Sequence, residues 1–149
     1  MFGTIGDTWN LKTGLEACSF DAMTVNPGST DPNRSESAVA AAGGTIEVDI
    51  SLDITNTAND RYAIHNAVTQ AVQAKLGFDL PGPYSHVLYS IEKCYVGCGY
   101  AAYAYVNSWM SVYVDIYYGR PGVLMHEVSN IISSSFIPLL FIDACEHYM

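Results

Sequence analysis

The sequence predicts an α+β fold: a mixed, mostly parallel sheet with a backing helix. Three observations lead there. From Thr45 to Ile54 the chain alternates without a break, with Ile46, Val48, Ile50, Leu52 and Ile54 on one side and Glu47, Asp49, Ser51 and Asp53 on the other, the period of a strand with one wet face. Ile64, Val68, Val72 and Leu76 then recur every four residues beside Ala67 and Ala71, with Asn59-Asp60 ahead and Gly77 behind, the pattern of an amphipathic helix with start and stop signals. His86 to Ile91 reads as a second strand. A strand-helix-strand order favours parallel pairing, because the helix carries the chain back to the starting end.

The remaining elements follow in order. Residues 26 to 44 hold turn formers and no apolar period, which predicts a long surface loop between an N-terminal strip and the main body. The acidic row Glu47, Asp49 and Asp53 lacks the clustered loop of a calcium site and reads as a solvated strand face. His65 lies beside the helix stripe and reads as a surface or boundary histidine. Leu80-Pro81-Gly82-Pro83 turns the chain into the second strand. After the Cys94 to Gly99 loop, Tyr100 to Val106 and Trp109 to Asp115 form a hairpin joined at Asn107-Ser108. Tyr100, Tyr103, Tyr105, Tyr113, Tyr117 and Tyr118 concentrate here; packing is the ordinary reason for aromatic residues in strands, and a substrate-binding edge is the alternative. Pro121-Gly122 opens a further helix with Pro in its first turn.

Composition sets the class. With 149 residues, half of them apolar and 14% charged, the chain suits one globular domain and excludes disorder and low complexity. Six Lys and Arg against fifteen Asp and Glu give a formal charge of -9, which disfavours nucleic acid and anionic membrane surfaces as partners. The apolar run Phe136 to Ile142 contains Pro138 and falls far short of the ~20 residues of a membrane span. No signal peptide is visible after Met1. Cys18, Cys94, Cys98 and Cys145 allow two disulfides in three pairings, and buried free thiols are an equal reading. Asn33-Arg34-Ser35 is a glycosylation sequon, relevant if the chain is secreted.

His126-Glu127, at the start of a helix after the hairpin, is the one chemical candidate. In the motif H-E-x-x-H two histidines four residues apart on a helix reach zinc from one face, and the glutamate serves as general base toward the metal-bound water. The lead-in Ala102-Tyr103-Ala104-Tyr105-Val106-Asn107-Ser108-Trp109-Met110-Ser111-Val112-Tyr113, then Met125-His126-Glu127, resembles the segment entering the zinc helix of gametolysin-type peptidases. Phe2-Gly3-Thr4-Ile5-Gly6-Asp7-Thr8-Trp9-Asn10-Leu11-Lys12, Glu16-Ala17-Cys18-Ser19, Asn66-Ala67-Val68, Ala74-Lys75-Leu76-Gly77 and His86-Val87 resemble that family in the same order, so the likeness spans residues 2 to 127. These are metzincin-like zinc endopeptidases of algae and diatoms.

The resemblance implies the N-terminal part of a metallopeptidase catalytic domain: a metzincin-like twisted sheet, a backing helix and the start of an active-site helix. It implies a secreted enzyme acting on protein or glycoprotein, with zinc as cofactor, His126 as first metal ligand and Glu127 as catalytic base. The edge strand, Tyr100 to Val106 with Tyr103, Ala104 and Tyr105 lining the cleft, would pair with extended substrate. A non-catalytic module that grips extended glycoprotein segments is the alternative.

Beyond Glu127 the pattern departs. The family motif H-E-x-x-H-x-x-G-x-x-H would need histidine, glycine and histidine where this chain has Asn130, Ser133 and Phe136, and an asparagine amide is a poor substitute for imidazole at zinc. No counterpart of the family's methionine turn is visible. Cys145 and His147 would share a face on an extended segment, but nothing in the sequence fixes them near His126. The expectation is weak or absent zinc binding and no peptidase activity. Val128-Ser129-Asn130 can be encoded by GTGAGTAAY, the form of a splice-donor site, so residues 128 to 149 read as a divergent tail of translated intron.

Overall fold

The computed structural model describes residues 10–20, 22, 24–27, 45–53, 61–92, 99–131 and 136–146. In chain order the elements are α1 (Leu11–Cys18), β1 (Thr24–Pro27), β2 (Thr45–Ile50), α2 (Arg61–Leu76), β3 (His86–Ile91), β4 (Ala102–Ala104), β5 (Met110–Val114), a 3-10 helix (Asp115–Gly119), α3 (Pro121–Ser129) and β6 (Phe136–Glu146). This is an α+β arrangement in which three α-helices pack on a mixed sheet.

The heart of the sheet is three-stranded: β5 pairs parallel with β3 and antiparallel with β4. Strand β6 continues it on the far side of β3, again parallel, and carries β1 and β2 in succession along its other edge. The order is β1-β6-β3-β5-β4, with β2 also on β6. Placing β3 between two parallel neighbours explains why all six of its residues are buried, since a central parallel strand is covered on both faces.

Alternation along the strands divides the interior. Val87, Tyr89 and Ile91 of β3 and Met110 and Val112 of β5 join Ile46, Val48 and Ile50 of β2 beneath the α2 stripe Ile64, Val68, Val72 and Leu76. On the opposite face Leu88 and Tyr113 meet Leu11 and Leu15 of α1 and Leu124 and Val128 of α3. Each fully buried aliphatic side chain contributes about 1.5–3 kcal/mol of transfer free energy, so these two layers hold the helices to the sheet.

The predicted helix over the four-residue stripe is α2, and it stops where Gly77 takes a φ of +75. That left-handed conformation is open to glycine without the cost of a Cβ. The predicted hairpin is β4 and β5, reversed through Asn107 at a φ of +58, a conformation asparagine tolerates better than most residues.

Four expectations change. Asn26 and Pro27, assigned to the loop 26–44, belong to β1, where proline is acceptable because among the described residues β1 pairs on one side only. The alternating strand ends at Ile50, with Leu52 still packed on the core. Strands β2 and β3 are parallel but not neighbours, because β6 lies between them. α1, the 3-10 helix and β6 were not expected: α1 has only two turns, with Leu11, Gly14 and Leu15 buried, too few positions to show a period, and β6 lies in the segment 128–149 that reads as a divergent tail in the sequence. The sequon at Asn33 and the pair Cys94 and Cys98 lie outside the described residues.

Candidate functional site

His126 and Glu127 sit in α3, immediately after the 3-10 helix that leaves β5. Pro121 occupies its first turn, where its missing N–H costs no hydrogen bond. The buried positions are Leu124, Glu127 and Val128, an i, i+3, i+4 stripe facing the sheet and α1. Glu127 is therefore turned inward, 8% exposed, while His126 lies on the outer surface. The Ser129 hydroxyl donates to the His126 carbonyl at 2.8 Å.

The C-terminal end of α3 is tied to the hairpin. The Asn107 N–H donates to the Asn130 carbonyl at 3.3 Å, and Ile131, 8% exposed, closes the turn. The helix thus runs past the edge strand β4, whose Ala102 packs in the α3 layer.

Glu127 faces a polar strip buried within that layer. The Tyr113 phenol is pushed up by burial and further by the Glu127 carboxylate, with the Ser111 hydroxyl pulling it partly back. His86 and Ser111, 1% and 0% exposed, are paired at 2.9 Å between Nε2 and Oγ. The sequence reading missed this pair. Its only signal was a histidine inside a strand that is otherwise apolar except for Ser90.

The cleft residues divide between the two faces. Tyr103 and Tyr105 pack toward α2, so their rings lie across the sheet from α3, and alternation puts the Ala104 side chain opposite that of Tyr103. Burial pushes the Tyr103 phenol well above its ordinary range. His65 is half-buried on α2, its Nδ1 3.2 Å from the Tyr103 hydroxyl. Strand β4 pairs only with β5 among the described residues.

Among the described residues the side chains around His126 do not fit a zinc ion. His126 offers one imidazole at the helix surface, Asn130 follows one turn later with an amide, and Phe136 brings no donor; a catalytic zinc needs three protein ligands. Cys145 belongs to β6, whose side chains lie outside the description, as does His147. Cys18 is an exposed thiol.

Comparison of the chain with protein families, with curated proteins and with solved structures gives no match. No helix among the described residues is long and apolar enough to cross a membrane.

Proposed function

We propose that residues 1–127 are the N-terminal part of a gametolysin-type, metzincin-like catalytic domain, from a secreted zinc endopeptidase that acts on protein or glycoprotein substrates. The observation that carries this reading is the run of matching segments in one order from Phe2 to Glu127. It is supported by the place of α3, the helix that carries His126 and Glu127, next to the antiparallel edge strand β4. As it stands the chain binds zinc weakly or not at all, because one imidazole cannot hold the ion, and it cleaves no peptide.

Restoring the ligands tests the reading. Replacing residues 128–149 with the continuation of a gametolysin catalytic domain should give about one zinc per chain and peptidase activity that Glu127→Ala abolishes. A grafted protein that folds yet binds no zinc would refute it. Zinc-dependent cleavage by the unaltered chain, lost in Glu127→Ala, would refute the claim of inactivity.

The place of β4 at the edge of the described sheet, beside an unsuitable donor set, favours a second reading, a non-catalytic module that holds extended glycoprotein segments. Capture of intact wall polypeptides without cleavage would support it. Transcript sequencing across Val128-Ser129-Asn130 decides the status of the tail: mature messages that keep those codons in every isolate refute an intron.

A further inference from the structure

We draw no further inference here: the strongest candidate, the surface cluster in which Arg61 and Tyr62 at the start of α2 meet Tyr103 of β4 and the neighbouring Tyr105, is a partly exposed aromatic face, and nothing in the structure shows what covers it.

Discussion

His86 Nε2 and Ser111 Oγ lie 2.9 Å apart between neighbouring parallel strands, in the layer shared with α1 and α3. The pair satisfies one ring nitrogen and the hydroxyl, while His86 Nδ1 has no hydrogen-bond partner among the described residues. A neutral imidazole is tolerable there; an imidazolium would bring a charge into a buried layer that leaves it poorly solvated.

That burial pushes His86 down to about 4, against a smaller upward pull from the Trp109 backbone. Unfolded, the ring takes up a proton near 6.5. Above that pH both states are neutral and the folded state carries no penalty. Between about 6.5 and 4 the unfolded chain binds the proton and the folded chain does not, so stability falls as pH falls, by on the order of 3 kcal/mol in all. Thermal melts of wild type and His86→Leu should diverge in pH dependence across this window. A wild-type loss that persists undiminished in the variant would assign it to carboxylates instead.

Thr69 of α2 and Tyr89 of β3 share a hydrogen bond of 2.8 Å, and the threonine hydroxyl also donates to the His65 carbonyl at 2.7 Å. Tyr89 is 0% exposed, and burial pushes its phenol up to about 12. Thr69→Val, which leaves that phenol without its partner, should cost about 1–3 kcal/mol. Tyr89→Phe with Thr69→Val should recover part of the loss, because neither partner then remains. Denaturant unfolding of the single and double variants reads this directly.

Asn10 and Thr13 cap α1 reciprocally. The Thr13 N–H donates to Asn10 Oδ1 at 3.1 Å, and the Asn10 N–H donates to Thr13 Oγ1 at 3.0 Å. Asn10→Ala should destabilise by about 1 kcal/mol. Hydrogen exchange should rise first in the opening turn of α1, whose position depends on the cap as well as on Leu11 and Leu15.

Leu88 and Val106 differ widely in burial, at 0% and 73% exposed. Leu88→Ala should cost about 2–5 kcal/mol through lost transfer energy and the cavity left behind. Val106→Ala should change stability by no more than about 0.5 kcal/mol. Similar losses in the two variants would contradict the arrangement of the α1 and α3 layer.

Legibility followed periodicity. The α2 stripe and the alternation of β2 announce themselves because each repeats three times or more against one packed surface. Strand β3 was visible as an apolar run bounded by turns. The short helix α1 repeats too little to register. His126 and Glu127 were found because their residue types carry chemistry, but their opposite fates, one outward and one inward, depend on how α3 rolls against Leu88 and Tyr113. Arg61 passed unnoticed because its contact with the Tyr103 ring joins positions forty-two apart in the chain.

The sequence alone determined α2, the strands β2 and β3, the hairpin through Asn107 and the acidic composition, since these are local or compositional properties. Only the tertiary structure decided that β6 separates β2 from β3, that His86 and Ser111 are buried together, and that Arg61 lies over the Tyr62 and Tyr103 rings. Each of those depends on non-local pairing, where which strand or ring lies opposite is set by the closing of the whole sheet rather than by any residue's own preference.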